Sequence, residues 1–137
     1  MAAESAEQGL VDQWRDILTV HARTVCELDR ELHRHGLGAS DFEVLDVLAE
    51  GAAADGGPSF RVQEIAERVH LSQSALSRLI GRLDKDGLVT RGMCAEDRRG
   101  VRVCITPEGR RLHGEVLPLQ RAVLARMLAG GQAMSGG

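Results

Sequence analysis

Leu10, Trp14, Ile17, His21, Val25, Leu28 and Leu32 follow one another in steps of 4-3-4-4-3-4, the spacing of one face of an α-helix. The stripe runs about seven turns and predicts a long first helix that ends before Gly36. A helix of this length has more apolar edge than one small module needs, so a partner helix is the natural cover. Ser40-Asp41-Phe42-Glu43 has the form of a capping box and opens a second helix that buries Phe42, Leu45, Val47 and Leu48. Residues 51–59, rich in Gly and Ala and carrying Pro58, read as a loop. Phe60, Arg61 and Val62 leave room for a very short strand.

Residues 62–69 read as a short third helix with Ile65, Ala66 and Val69 inward. His70 and Leu71 form a turn, and Ser72 caps a fourth helix. There Leu76, Leu79, Ile80 and Leu83 occupy i, i+3, i+4 and i+7, which leaves Gln73, Ser74, Ser77, Arg78 and Arg82 on other faces. Gly87 ends this helix. Residues 88–93 and 101–105 read as antiparallel strands, with Val101, Val103 and Ile105 on one face and a charged tip at 96–99. Thr106 and Pro107 are an N-cap and a first-turn proline opening a fifth helix. Its apolar positions run from Leu112 to Leu128, and Pro118 is expected to kink it. The Gly-rich residues 130–137 read as a flexible tail.

With 137 residues the chain is expected to be one domain. Helices at 8–36 and 107–129 would form a dimerisation layer, and 40–106 the helix-turn-helix with its wing. The fold class expected is therefore mainly α with a small β-hairpin wing. No apolar run approaches the roughly 18 residues of a membrane span, and no signal-like segment opens the chain. No membrane partner and a cytoplasmic location are the corresponding expectations.

The net charge of −3 hides a division along the chain. Residues 1–59 carry 4 basic and 12 acidic side chains, net −8, whereas residues 60–111 carry 11 basic and 7 acidic, net +4. A positive module beside an acidic one suits a protein that touches a polyanion with one part only. Short polar side chains at the start of the fourth helix would let it approach base edges. Gln73 can pair with adenine, and Arg78, one turn on, can reach a guanine edge or a phosphate. Asp97 can hold Arg99 extended for a minor groove, with Arg98 and Arg102 near phosphates. Ser72, as a cap, and Ser74, Ser77 and Arg82 complete the candidate DNA-facing set. Arg82 could instead pair with Asp86 at i+4. Duplex DNA is thus the leading partner.

These residues carry a family resemblance. Ile65-Ala66, the run Leu71-Ser72-Gln73-Ser74-Ala75-Leu76-Ser77-Arg78-Leu79, then Arg82-Leu83, Gly87-Leu88-Val89 and Arg91, and the wing pattern Asp97-x-Arg99 with Ile105-Thr106 resemble the MarR family of transcription regulators over residues 14–128. The resemblance implies a homodimer on a pseudo-palindromic operator, usually a repressor released by a small phenolic or aromatic ligand, an oxidant or a metal. The chain departs from it in two places. Gly81 stands where the family carries a larger polar residue, and a Gly-rich tail stands where a last dimerisation helix is usual. Dimerisation is therefore expected to rest on the first and fifth helices.

Cys26, Cys94 and Cys104 are odd in number and lack CxxC spacing, which argues against a disulfide framework or a zinc site. Peroxide-sensing members of the family hold a cysteine near the start of the first helix with tyrosines. This chain has no Tyr, and Cys26 comes late in the helix, where it reads as a small core residue. Cys94 beside Arg98 and Arg99 leaves thiol sensing open as an alternative. His33, His35 and His113 lack metal-ligand spacing, so no metal and no cofactor are expected. Trp14 and His21 share the apolar stripe and are the tentative ligand-binding residues, although His21 also suits a core position. No catalytic triad, carboxylate pair or phosphate loop occurs, and no enzymatic activity is expected. The reading from another class is a winged-helix protein–protein module without operator binding.

Overall fold

The structure is a computed structural model that describes the backbone over residues 2–55, 60–94 and 97–129, and side chains over 3–51, 60–92 and 102–129. Helix α1 spans Ala2–Leu32 and continues into a 3-10 turn, His33–His35, that ends where Gly36 takes φ 76°. Glycine suits this left-handed stop because it has no Cβ to clash. Helix α2 covers Ala39–Asp55, strand β1 Phe60–Arg61, helix α3 Val62–Val69 and helix α4 Gln73–Lys85. Strands β2, Val89–Cys94, and β3, Asp97–Ile105, lead into α5, Pro107–Leu124, and a closing π turn, Ala125–Ala129.

The two ends of α1 have different surroundings. Leu28 and Leu32 are buried against the rest of the chain, while Leu10, Trp14 and Ile17 are 66%, 58% and 53% exposed. The same stripe therefore seats the C-terminal turns and leaves the N-terminal turns bare. Cys26, expected in the core, is exposed. Thr24 is the buried polar residue of this region instead, its hydroxyl donating to the Val20 carbonyl at 2.7 Å.

The start of α2 differs from the expected capping box. The helix begins at Ala39, where the Ala39 N–H donates to Asp29 Oδ1 at 2.7 Å and the Gly38 N–H to Asp41 Oδ2 at 2.8 Å. Two carboxylates, one from α1, thus satisfy the free amides of the first turn. The end also differs: residues 51–55 are helical rather than a loop, and 56–59 lie outside the described residues. Gly51 allows this packing, since a Cβ there would collide with the Phe60 ring.

The helix-turn-helix follows the sequence pattern closely. Glu64 accepts from the Arg61 N–H at 2.9 Å as α3 begins. Ser72 Oγ accepts from the Ala75 N–H at 3.2 Å as α4 begins. Leu76, Leu79, Ile80 and Leu83 are all buried. They meet Ile65, Phe42, Leu45 and Leu48 in one core that also takes Val89, Val103 and Val116.

The sheet is antiparallel with order β1-β3-β2. Phe60 pairs with Val103 and Arg61 with Arg102 on one side; Val89 pairs with Ile105, Thr90 with Cys104 and Gly92 with Arg102 on the other. Strand β3 starts at Asp97, four residues before the expected 101, so 97–100 are strand rather than tip. Helix α5 continues through Pro118, and the expected flexible tail at 130–137 lies outside the described residues.

Candidate nucleic-acid interface and adjoining cleft

Helix α4 is two-faced because its apolar residues fall on one side and its short polar residues on the other. With Leu76, Leu79, Ile80 and Leu83 anchored, Gln73, Ser74, Ser77 and Arg78 are exposed. Ser72 is fixed as the cap, and its hydroxyl lies 3.4 Å from Ser74 Oγ. Arg78 is exposed, and among the described residues it takes part in no ion pair. That face combines amide, hydroxyl and guanidinium groups on a rigid helix, the donor and acceptor set that reads base edges.

Arg82 has a different environment. It does not pair with Asp86; its Nη2 bonds Asp41 Oδ1 on α2. Arg91 of β2 pairs with Asp84 of α4 at 3.1 Å and ties the wing to the helix. Arg102 is half-buried on β3, between Gly92 of β2 and Arg61 of β1. The side chains of Asp97, Arg98, Arg99 and Cys94 lie outside the described residues, although the backbone at 94 and 97–99 belongs to the two wing strands. The register shifts between Met93 and Cys94, so Cys94 stands opposite Asp97. Cys104 faces Thr90 at the other end of the hairpin, far from Cys94.

An open cleft of about 940 Å³ lies between α1, the start of α2 and the α3–α4 turn. Ile17, Val20, Leu28 and Leu71 give it apolar walls, while His21, Glu43, Arg68 and His70 supply polar groups. His21 is exposed to this cleft and is not a core residue. Trp14 is not among the lining residues. It lies at the edge of the cleft, between the lining residues Gln13 and Asp16 on α1, and is 58% exposed.

A polar cluster between α2 and α5 escaped the sequence reading. His113 Nε2 lies 2.7 Å from Asp46 Oδ1 and its ring stacks on Phe42. Arg121 donates to Asp46 at 3.1 Å and to Gln120 at 2.6 Å. Gln120 is only 1% exposed. Its place four residues after Val116 and three before Val123 on the core stripe was the available signal. Glu43 borders this cluster, with Gln120 Nε2 at 3.4 Å. Glu43 stays exposed, but partial desolvation of its carboxyl raises it above the ordinary value of 4.5; Asp46 adds to the rise and Arg121 opposes it. Among the described residues no group of His, Cys, Asp or Glu side chains could hold a metal ion. No helix there is long and apolar enough to cross a membrane.

Comparison with known proteins agrees with this architecture. A family profile described as MarR family matches residues 35–100. The HTH-type transcriptional repressor MdtR of Bacillus subtilis is 28% identical over 126 residues, 92% of this chain and 77% of MdtR. The structure of AbsC, a MarR family transcriptional regulator from Streptomyces coelicolor, is 30% identical, with a TM-score of 0.75 over 86% of this chain and 77% of AbsC. Sco3205, a MarR family regulator of the same organism solved in complex with DNA, is 29% identical, with a TM-score of 0.76 over 91% of this chain and 75% of Sco3205. A two-faced helix after a capped turn, a wing beside it and these likenesses lead to one conclusion: the chain belongs to the MarR family of winged-helix transcriptional regulators.

Proposed function

We propose that this protein is a homodimeric, sequence-specific DNA-binding regulator, a cytoplasmic repressor released by a small organic ligand. The observation that carries the reading is the outer face of α4, where Gln73, Ser74, Ser77 and Arg78 stand exposed over a fully buried inner face. Gln73 and Arg78 read base edges in the major groove, and Ser74 and Ser77 let the helix approach closely. Arg82, which keeps donors free beyond its bond to Asp41, and Arg98 and Arg102 contact phosphates. Asp97 orients Arg99 in the minor groove. The structural likeness to Sco3205, solved with DNA, supports this placement.

The bare stripe of Leu10, Trp14 and Ile17 supports the homodimer, since single helices rarely expose this much aligned apolar surface. In such a dimer the two recognition helices lie about one duplex turn apart, roughly 34 Å. The cleft beside His21 takes the effector, an aromatic or phenolic compound whose ring packs on the apolar walls. Gel-shift against the duplex upstream of the protein's own gene tests the main reading. Binding tighter than to random duplex at physiological salt is expected; equal affinity for both would favour a winged-helix protein–protein module. Light scattering at micromolar concentration is expected to show a dimer, and a strict monomer with and without DNA would overturn that architecture.

A further inference from the structure

Asp41 is a buried carboxylate at the joint between α2 and the recognition helix. Its side chain is 6% exposed, and its two oxygens have different tasks. Oδ2 accepts from the Gly38 N–H at 2.8 Å and closes the first turn of α2. Oδ1 receives Nη2 of Arg82, from the last turn of α4. Next to it, Asp29 of α1 holds the Ala39 N–H at 2.7 Å. The N-terminus of α2 is thus clamped to α1 by one acid and to α4 by another. A carboxylate withdrawn from water needs a compensating partner, and Arg82 is that partner here.

Arg82 itself is only half withdrawn. Its side chain is 58% exposed, and a guanidinium has five N–H donors in one rigid plane. With one donor held by Asp41, a side chain this exposed keeps further N–H groups accessible to solvent while its rotamers are already restricted. A phosphate gripped by such an arginine meets a fixed point on α4. Phosphate contacts of this kind set the register of a recognition helix, and base contacts then specify.

We propose that Asp41 is a positioning residue for DNA recognition: by holding Arg82, it fixes the phosphate contact that sets how Gln73 and Arg78 meet the bases. The proposal rests on the operator-binding reading above. It makes sequence discrimination, rather than affinity for DNA in general, the property that Asp41 governs. A released Arg82 still finds phosphates on any duplex, and removing the acid makes the surface more positive. Random DNA is therefore bound at least as well while the operator loses its fixed contact.

The test uses the full chain and a duplex selected from a random library by the wild-type protein. Affinity for that duplex and for a random duplex is measured with Asp41→Asn, which keeps an oxygen for the Gly38 N–H but not the charge for Arg82. The ratio of the two affinities is expected to fall about tenfold, through the selected duplex alone. Asp41→Asn combined with Arg82→Gln is expected to lose no more of the ratio than the more damaging single change, because both break one contact. Arg82→Lys provides an independent check on an exposed side chain. A lysine keeps the charge but cannot hold Asp41 and a phosphate in one planar fork, so the ratio falls again. A ratio within twofold of wild type in Asp41→Asn or Arg82→Lys overturns the proposal. So does an equal loss on both duplexes, the signature of a purely structural acid. If the library yields no preferred duplex for the wild type, the operator-binding reading fails as well.

Discussion

The Thr106 hydroxyl donates to the Gly87 carbonyl at 2.7 Å while accepting from the Gly109 N–H at 2.9 Å. One side chain thereby caps α5 and holds the residue where the chain leaves α4. Gly87 sits at φ 78°, and the Thr106 N–H bonds the Leu88 carbonyl at 3.0 Å. The base of the wing is closed by these bonds, so the hairpin leaves the body at a fixed point beside the recognition helix.

Thr106→Val keeps the shape and removes both hydroxyl bonds. We expect a loss of about 1–2 kcal/mol of stability, the usual cost of a lost helix cap. Thr106→Ser restores most of it. Urea denaturation of the three proteins decides the point; a valine variant as stable as wild type would show that the cap contributes nothing.

Two helical glycines should respond oppositely to alanine. A Cβ at Gly109 would collide with the Leu88 carbonyl oxygen and crowd Ile105, whereas one at Gly81 meets nothing within 4 Å. Gly109→Ala should lower the unfolding free energy by more than 1 kcal/mol, roughly the range of overpacking. Gly81→Ala should raise it by about 1 kcal/mol through reduced backbone entropy. Denaturation midpoints of the pair test this directly.

Glu43 makes stability depend on pH in a stated direction. Partial desolvation, reinforced by Asp46, raises its carboxyl above 4.5 in the folded chain. Between the unfolded and folded values the native state binds the extra proton. The contribution of Glu43 therefore becomes less favourable as pH rises through that window. Glu43→Gln is expected to raise the melting temperature at pH 7 and to lose that advantage toward pH 4. An equal shift at both pH values would mean that the charge is not the cause.

The exposed stripe on α1 gives an assembly test. Trp14→Arg with Ile17→Arg places two charges on the bare N-terminal half of the helix, away from buried Leu28 and Leu32. Far-UV circular dichroism should stay unchanged while light scattering shifts from dimer to monomer. A variant that stays dimeric would place the interface elsewhere.

On the DNA side, helix and wing should separate. Arg78→Ala is expected to cost about 1–3 kcal/mol on the operator and to relax preference at one or two base pairs. Arg99→Ala should weaken operator and A/T-rich random duplex alike and lower the salt slope by about one per subunit. Binding across a salt series distinguishes them; an unchanged slope for Arg99→Ala removes the wing from the interface.

Sequence by itself determined the elements whose instructions are local. The period of Leu76, Leu79, Ile80 and Leu83, the caps at Ser72 and Thr106 and the stops at Gly36 and Gly87 depend on neighbours within a few residues, so the winged helix-turn-helix was legible. Tertiary structure decided what depends on distant partners. Arg82 chose Asp41, 41 residues away, over Asp86 at helical spacing, because a buried carboxylate demands a cation more strongly than an exposed one. The start of α2 took Asp29 and Asp41 as its caps instead of the Ser40 box, since α1 brought a carboxylate within reach. The loop expected at 51–55 became helix, where Gly51 leaves space for Phe60. Cys26, expected in the core, came out exposed, and Gln120 entered the core with Glu43 of α2 as a polar partner. Periodicity shows which face of a helix is apolar; only packing shows what each face meets and which polar groups find partners there.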